Sequence, residues 1–270
     1  MLSVIIITKD EEKMIKACLS SVKWADEIVV VDDGSTDDTI KIAKAEGAKI
    51  VSSPQITEKD FSRLRNLGLQ EAKGDWILYV DADERVLKPL KEEIQNILTK
   101  EGSGAWAISR RNIILGAEKK YPAFWPDYVI RLFKRVSLQC WQGKVHESPK
   151  FSGKLAKLEN SFLHLTHRDI DSMVLKSLDW ANIDARLRYD SGHPPMSSWR
   201  FLKILFSEIF NQGILRQGFF NGTVGVIDSL LQAFSLYISY VKLWQLQQKK
   251  SLQETYDDID KKLIQNEFNF

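Results

Sequence analysis

Two clusters of acidic residues follow apolar, strand-like segments of this sequence. One segment runs into Asp32-Asp33-Gly34-Ser35, and another runs into Asp81-Ala82-Asp83-Glu84. On an extended chain Asp81 and Asp83 point the same way, because side chains alternate with a period of two. Two carboxylates on one side of a strand end can hold a hard divalent cation, which can in turn hold phosphate oxygens. The alternative is that both clusters are strand-end turns, where Asp is common.

The sequence lacks the glycine-rich loops that cradle phosphates in many nucleotide-binding proteins. The first apolar segment is not followed by a GxGxxG motif or by a GxxxxGK motif that ends in Ser or Thr. It instead runs into Thr8-Lys9-Asp10-Glu11-Glu12. A nucleotide bound at this position would therefore be held by carboxylates and a metal ion, not by a glycine-rich loop.

The elements that must position these residues alternate between strands and helices over the first hundred residues. The apolar patterns predict strands at 2–8, 27–31, 48–52 and 76–80, and helices at 10–22, 37–46, 61–72 and 89–100. This alternation is typical of parallel βαβ units, in which ligands bind beyond the carboxyl ends of the strands. Both acidic clusters are predicted to lie at that edge.

The pattern changes after about residue 104. Short strand-like segments at 105–109, 128–133 and 162–165 are interrupted by Gly and Pro, which indicates an extension of the sheet with long loops. Helical patterns follow at 172–189, 199–211 and 224–247. We therefore predict an α/β domain over residues 1–168, with a mostly parallel, Rossmann-like sheet flanked by helices, and a helical C-terminal region over 169–270.

Composition and charge exclude several classes of protein. Lys plus Arg number 38 and Asp plus Glu number 36, a formal net charge of +2, which argues against a dedicated nucleic-acid-binding protein. Hydrophobic residues make up 44% and charged residues 27%, which excludes a disordered, collagen-like or coiled-coil chain. Cys18 and Cys140 have no metal-like spacing, which favours a reducing compartment. Because no basic leader or uninterrupted apolar run of about 18 residues is visible, we expect a cytoplasmic protein that can still touch a membrane surface.

Three motifs of the first ninety residues resemble a known family. In order and spacing, SVIIITKDEE, VVVDDGSTDDT and ILYVDADE are similar to the motifs of family-2 glycosyltransferases, which have the GT-A fold. Further along, PDYVIRLFKR and WQGKVHE resemble a subgroup of bacterial enzymes that glycosylate the lipopolysaccharide core or related surface glycans. The resemblance implies a nucleotide-sugar half over about 1–100 and an acceptor half over about 101–168.

The resemblance also implies which residues bind the donor. The end of the first strand would line the base pocket, with Glu12 as an alternative to Glu11, and Asp33, with Asp32 beside it, would accept hydrogen bonds from uracil or ribose. Arginines of the third helix, Arg65 among them, could pair with the diphosphate. The implied donor-binding residues are Thr8, Asp10, Glu11, Asp32, Asp33, Arg63, Asn66, Asp81, Asp83 and Arg131.

A metal ion is part of the same resemblance. Asp83 would ligate Mg²⁺ or Mn²⁺ that bridges the diphosphate, and Asp81 would reach the ribose or the metal. His146 is a further candidate metal ligand, with an orienting or a purely packing role as alternatives. His164 and His167 are three residues apart, a spacing that can suit zinc, but no third ligand accompanies them in sequence, which favours a structural role.

The resemblance also implies inversion at the anomeric centre, which needs a carboxylate base that takes the proton of the acceptor hydroxyl. Many family members carry an acidic pair about a hundred residues after the Asp-x-Asp motif, and this sequence does not. Glu147 is the nearest candidate base and Asp127 is its rival. The Gln-x-x-Arg-Trp motif of processive synthases is also missing, which favours transfer of one sugar at a time.

The resemblance implies an inverting transfer of a hexose from a UDP-linked donor to a surface glycan or lipopolysaccharide-core acceptor. A nucleotidyltransferase is the alternative enzyme, although the glycine- and lysine-rich loop expected of one is missing. A protein that binds nucleotide sugars without catalysis is the alternative outside enzymes. The aromatic helices between Trp199 and Trp244 have basic edges and could lie in a membrane interface, pack internally or form a dimer contact. The oligomeric state is left open.

Overall fold

The computed structural model of the chain describes residues 1–53, 60–99, 102–119, 125–143 and 147–265. The chain forms two compact units. The first comprises Met1–Ile113 and Trp125–Thr166, and the second comprises Ile114–Phe124 and His167–Phe270. A short segment from the middle of the chain therefore belongs to the same unit as the C-terminal helices.

The first unit is built on a mixed β-sheet. The strands of the chain in the described residues are β1 (Leu2–Thr8), β2 (Glu27–Asp32), β3 (Lys49–Ser52), β4 (Trp76–Asp81), β5 (Glu84–Arg85), β6 (Ala105–Ile114), β7 (Ala117–Glu118), β8 (Asp127–Lys134), β9 (Leu138–Gln142), β10 (Ser148–Phe151) and β11 (Leu155–His164), of which β7 belongs to the second unit. The sheet of this unit has the order β3-β2-β1-β4-β8-β6-β11-β5, and β9 and β10 form a separate antiparallel pair. β1 is parallel to β2 and β4, β2 to β3, and β6 to β11. The predicted α/β class with a mostly parallel sheet is confirmed.

Helices connect the parallel strands. They are α1 (Ile15–Val22), α2 (Thr39–Ala45), α3 (Phe61–Glu71) and α4 (Lys88–Leu98). The first helix begins at Ile15, later than the predicted start at residue 10. The cause is that Asp10 has a left-handed backbone (φ 53°) and that the backbone N–H groups of Asp10 and Glu11 donate to the hydroxyls of Ser35, in the β2–α2 loop, and Thr39, at the start of α2, instead of entering a helix.

The hydrophobic core lies on both faces of the sheet around β1. Every residue of β1 is buried, as its continuous apolar run predicts. Val4 and Ile6 belong to the cluster that packs with α1 and α4, and Ile5 and Ile7 belong to the cluster that packs with α3. Gly68 allows α3 to approach this closely, since a Cβ atom there would collide with Cγ2 of Ile5. The close packing fixes the position of α3 against the carboxyl ends of the strands.

The predicted extension of the sheet is present, and its strands are longer than their sequence signals. β8 is antiparallel to both β4 and β6. β11 begins at Leu155, whereas the apolar pattern predicts only 162–165. Its pairing with β6 shifts register between Lys157 and Ser161. The bulge and the charged side chains before it interrupt the alternation that a sequence pattern can detect.

The second unit is mainly helical, as predicted for the C-terminal region. Its helices in the described residues are α5 (Ile170–Asp190), α6 (Ser198–Phe210), α7 (Gly222–Leu246) and α8 (Leu252–Ile264), with a π-helical turn (Asn211–Leu215) and a 3-10 turn (Gly218–Phe220) between α6 and α7. Side-chain caps begin three of the helices, because Asp169, Ser197 and Ser251 each accept from a backbone N–H of the first turn.

Candidate active site

The strand register brings the predicted donor-binding residues to one edge of the sheet. Thr8 at the end of β1 pairs with Asp32 at the end of β2, and its neighbour Ile7 pairs with Asp81 at the end of β4. Thr8 and Asp32 are both buried at this edge. The carboxyl ends of three adjacent parallel strands therefore form the floor of one candidate site.

The polar residues after β1 bind the loop after β2. The carboxylate of Asp10 accepts from the backbone N–H of Thr36 at 2.7 Å, and its own N–H donates to Ser35 Oγ at 3.0 Å. The N–H of Glu11 donates to Thr39 Oγ1 at 2.7 Å. These bonds give Asp10 and Glu11 a role in shaping the rim of the site.

The two aspartates at the end of β2 have different environments. Asp32 accepts from the backbone N–H groups of Gly34 and Ser35 at 3.2 Å and from Ser35 Oγ at 2.6 Å, so its carboxylate stabilises the loop. Asp33 Oδ1 lies 3.6 Å from Arg63 Nη2. Of the two, Asp33 is the residue whose carboxylate faces a cation across the edge of the sheet.

Asp81 is bound by two buried arginines. Nη2 of Arg65, on α3, lies 2.9 Å from Asp81 Oδ1, and Nη2 of Arg131, on β8, lies 2.5 Å from Oδ2. The arginines are 2% and 5% exposed. Burial raises the pKa of Asp81, but Arg131 and Arg65 outweigh it and hold the pKa well below its ordinary value. Each carboxylate oxygen of Asp81 thus already accepts a charged hydrogen bond.

Arg65 also holds the candidate base. Its Nε and Nη2 lie 3.2 and 3.1 Å from Glu147 Oε1, and its guanidinium lies 5.0 Å from the ring centre of Trp141 and 5.7 Å from that of Tyr79. Burial lowers the pKa of Arg65, but the charges of Asp81 and Glu147 raise it by a larger amount, so the pKa is above its ordinary value. Arg65 therefore fixes Glu147 relative to the end of β4.

A second chain of hydrogen bonds runs from Asp83 to the rival base. His164 Nε2 lies 3.3 Å from Asp83 Oδ2, and its Nδ1 lies 2.6 Å from Asn112 Oδ1. The Asn112 amide nitrogen donates to Asp127 Oδ2 at 3.2 Å, and Arg110 Nη2 lies 2.7 Å from the same oxygen. Burial lowers the pKa of His164, but the bond and charge of Asp83 raise it more.

This arrangement selects one tautomer of His164. Because the nitrogen of the Asn112 amide is used by Asp127, its oxygen faces the imidazole and accepts from Nδ1. When the ring is protonated, which Asp83 favours, Nε2–H donates to Asp83; when the ring is neutral, Nε2 carries a lone pair that a metal ion can use. Such an orienting partner is typical of histidines that ligate metals.

Glu84 completes the polar interior of the site. It is fully buried, and its Oε2 accepts from the backbone N–H of Asp81 at 2.9 Å. Arg110 Nη1 is 3.9 Å from its other oxygen. Burial, and the charge of Asp81 after it, raise the pKa of Glu84, which favours its protonated form.

Some of the predicted residues lie elsewhere or cannot be placed. The amide of Asn66 forms two bonds to the backbone of Trp141, at 3.0 and 2.8 Å, and so ties α3 to β9. His146 lies outside the described residues. His167 belongs to the second unit, whereas His164 belongs to the first. Within the described ranges no group of three or more His, Cys, Asp or Glu side chains is arranged to hold a metal ion by itself.

Sequence reasoning missed His164, Asn112 and Arg110 as neighbours of the Asp81–Asp83 motif. His164 reaches it because β11 is antiparallel to β5, with His164 opposite Glu84. β5 has only two residues, which gives no strand signal in the sequence. The long-range pairing that brings the imidazole to Asp83 could therefore not be predicted from local patterns.

The chain is similar to several known proteins. A model of the protein family described as Glycosyl transferase family 2 matches residues 3–156, which is more than half of the chain. An uncharacterized glycosyltransferase of Rickettsia bellii is 29% identical, over 91% of this chain and 86% of that protein. The lipopolysaccharide core biosynthesis glycosyltransferase LpsC of Rhizobium meliloti is 26% identical, over 90% of this chain and 92% of LpsC. Among solved structures, S. aureus TarS in complex with UDP-GlcNAc matches with a TM-score of 0.47 and 15% identity, over 100% of this chain and 93% of that one.

Proposed function

Because the chain belongs to glycosyl transferase family 2, we propose that it transfers one hexose, with inversion, from a UDP-linked donor to a growing surface glycan or lipopolysaccharide-core acceptor. The observation that carries the proposal is the single edge at which β1, β2 and β4 place Thr8, Asp32 and Asp81. The similarity to LpsC of Rhizobium meliloti supports the class of acceptor.

The nucleoside end of the donor is assigned to the ends of β1 and β2. Asp33 accepts hydrogen bonds from the uracil or ribose, beside Arg63, which lies 3.6 Å away. Asp32, Asp10 and Glu11 act through the loop that they hold in place. The diphosphate is assigned to the end of β4. Its charge is there compensated by Arg65 and Arg131, which both contact Asp81.

A divalent cation fits the chemistry of Asp83 and His164. A carboxylate oxygen and an imidazole nitrogen lie 3.3 Å apart, and His164 is oriented by Asn112 so that Nε2 can act as a ligand. A mixed nitrogen and oxygen set suits Mn²⁺ better than Mg²⁺, which prefers oxygen. Asp81, whose oxygens both contact arginines, contributes to the charge of the site more than to ligation. When bound, the cation supplies charge neutralisation for the departing diphosphate.

Glu147 is proposed as the base, with Asp127 as its rival. The acceptor hydroxyl loses its proton to the carboxylate as its oxygen attacks the anomeric carbon, and the bond from that carbon to the diphosphate breaks on the opposite face. Arg65 holds Oε1 of Glu147, so the geometry leaves Oε2 to receive the proton. Asp127 is held in an equivalent way by Arg110.

Thermal unfolding with nucleotide sugars tests the proposal directly. A ligand that binds only the native state raises the unfolding temperature, so UDP-hexoses with Mn²⁺ should raise it more than GDP- or dTDP-sugars, and chelation should abolish the effect. Slow, metal-dependent hydrolysis of the bound donor separates an enzyme from a binding protein. If no nucleotide sugar shifts the transition with any divalent cation, the proposed function is wrong.

A further inference from the structure

The exposed side of α6 is apolar. Trp199, Leu202, Phe206 and Phe210 follow one another at intervals of three or four residues, which places them on one side of the helix. They are 72%, 50%, 65% and 54% exposed. No residue of α6 is fully buried. Soluble proteins rarely expose a contiguous row of large apolar side chains, and such a patch marks an interaction surface.

A second exposed row on α7 lies level with the first. Val226, Leu230 and Phe234 are four residues apart and all exposed. α6 and α7 are antiparallel, since the ring of Phe201 packs 5.7 Å from that of Tyr237, while Ser229, earlier on α7, donates to the carbonyl of Gln212, just after α6. Positions near 206 and 210 of α6 therefore lie level with positions near 234 and 230 of α7.

The connection between the two helices also exposes apolar side chains. Ile214, Leu215 and Phe220 are exposed. The connection is compact, because Gly213 packs under the ring of Phe219 and Gly218 packs against Ser229, where a Cβ atom would collide. We call the exposed apolar residues on one side of α6 the apolar face: Trp199, Leu202, Phe206 and Phe210.

The exposed charged side chains of α6, the connection and α7 are basic. Arg200 and Lys203 are exposed on α6 among its apolar residues. The stretch 197–247 contains two acidic residues. Glu208 accepts from the side-chain amides of the π-helical turn, and Asp228 is 2% exposed and bound by Lys119 of the same unit. The face therefore offers cations and apolar side chains, with its carboxylates already engaged.

α7 is long and apolar enough to cross a membrane by length and composition alone, and 28% of its most apolar window is buried. Its packing argues for a different arrangement. Asp228 and Ser229 on α7 are buried within the unit, and Asp228 is paired with Lys119. If α7 spanned a bilayer, this charged pair would be exposed to lipid, which costs free energy. A helix that lies in the membrane interface avoids this cost.

We infer that the apolar face docks peripherally on a bilayer that contains anionic lipids. The apolar side chains would enter the boundary between headgroups and acyl chains, and Arg200 and Lys203 would lie among the headgroups. Both contributions are needed for stable but reversible attachment. The inference is independent of the proposed sugar transfer, because docking is measured without donor or metal.

Vesicle co-sedimentation of the full chain tests the inference. We expect binding to phosphatidylcholine vesicles that contain about one third phosphatidylglycerol, and weaker binding to pure phosphatidylcholine or at high salt. The triple variant Leu202→Gln, Phe206→Gln, Phe210→Gln should bind on the order of 100-fold more weakly, because it removes three exposed apolar side chains. Its matched control changes three large apolar residues outside the face that are exposed to a similar or greater extent: Leu175→Gln, Leu187→Gln and Ile264→Gln.

The basic pair is tested separately. Arg200→Gln with Lys203→Gln should weaken binding at low salt by roughly 25-fold, at about fivefold per residue, and should reduce its salt dependence. The control pair Lys41→Gln with Lys44→Gln, exposed on α2, should bind like the unmodified chain. Circular dichroism verifies that every variant is folded.

Three outcomes would overturn the inference. The first is that the unmodified chain does not sediment with either vesicle. The second is that the control variants lose binding as much as the face variants. The third is that sedimentation velocity shows a dimer that the triple variant dissociates while vesicle binding is unchanged, which would assign the face to a second copy of the chain.

Discussion

Asparagine replacements at Asp81 and Asp83 should have opposite consequences, although the two residues share one motif. Asp83→Asn should abolish metal-dependent donor binding and leave the fold intact. Asp81→Asn should destabilise the first unit. The reason is the difference in partners, because Asp81 is bound by two buried arginines and Asp83 by His164.

The magnitudes follow from burial. Removing one partner of a buried ion pair typically costs about 3–5 kcal/mol, since a charge is left without compensation. Without Asp81, Arg131 loses its 2.5 Å contact, while Arg65 keeps Glu147. At about 2–4 °C per kcal/mol for a unit of this size, the unfolding temperature should fall by roughly 10 °C. Asp83→Asn loses about one hydrogen bond to a neutral or charged ring, on the order of 1 kcal/mol.

The pH dependence of stability gives a second readout. The folded-state pKa of Asp81 is depressed, because the charges of Arg131 and Arg65 outweigh the effect of burial. The stabilisation from Asp81 is therefore fully present above its unfolded pKa of about 3.9 and is lost as the pH falls below it. The deficit of Asp81→Asn relative to the unmodified chain should be largest at neutral pH and should shrink in acid.

The assay is thermal unfolding by circular dichroism with chelator present, followed by calorimetric titration of UDP-hexose with and without Mn²⁺. Adding Arg131→Met to Asp81→Asn is the matched control, since it removes the uncompensated cation and should recover part of the lost stability. An Asp81→Asn variant that unfolds at the temperature of the unmodified chain would refute the stabilising role of Asp81. Metal-dependent donor binding that persists in Asp83→Asn would refute the assignment of the cation to Asp83.

Three further predictions concern single residues. Glu147→Gln should reduce turnover about 10²- to 10⁴-fold at unchanged donor affinity, and an equal loss in Asp127→Asn, measured in the same assay, would move the base there. Asn112→Ala should weaken Mn²⁺ binding about 10- to 100-fold in a direct titration, because His164 loses the partner that orients it; unchanged affinity would exclude the imidazole as a ligand. Since burial raises the pKa of Cys18, a thiol reagent should label one cysteine of the native chain and both in urea, and labelling of both without urea would contradict the packing of α1.

The sequence predicts the first part of the fold well because the signals there are local. β1, β2 and β4 are runs of apolar residues that end in acidic turns, and the observed strands differ from the predicted ones by a residue or less. The start of α1 is the exception, since tertiary bonds from Asp10 and Glu11 hold the preceding residues out of the helix. Local helix propensity contains no information about a hydrogen bond to a loop that lies 25 residues further along the chain.

The candidate site is less predictable because its contacts are long-range. Arg65 and Arg131 can be read from the sequence as donor contacts, but their shared partner Asp81 depends on the antiparallel insertion of β8 beside β4. Asn112 carries no motif at all. Its importance arises from the pairing of β6 with β11, which sets it opposite His164.

The charge balance of the site links the donor to the cation. Three arginines and four carboxylates make up the cluster in the described part of the chain: Arg65, Arg110, Arg131, Asp81, Asp83, Asp127 and Glu147. Burial and the charge of Asp81 raise the pKa of Glu84, which favours its uncharged form. Burial lowers the pKa of His164, but Asp83 raises it by more, so the pKa of His164 is above its ordinary value. Even with His164 charged the cluster is at most neutral, so it offers a diphosphate no net attraction. A divalent cation at Asp83 makes the sum positive, so donor and cation should each raise the affinity for the other by the same factor.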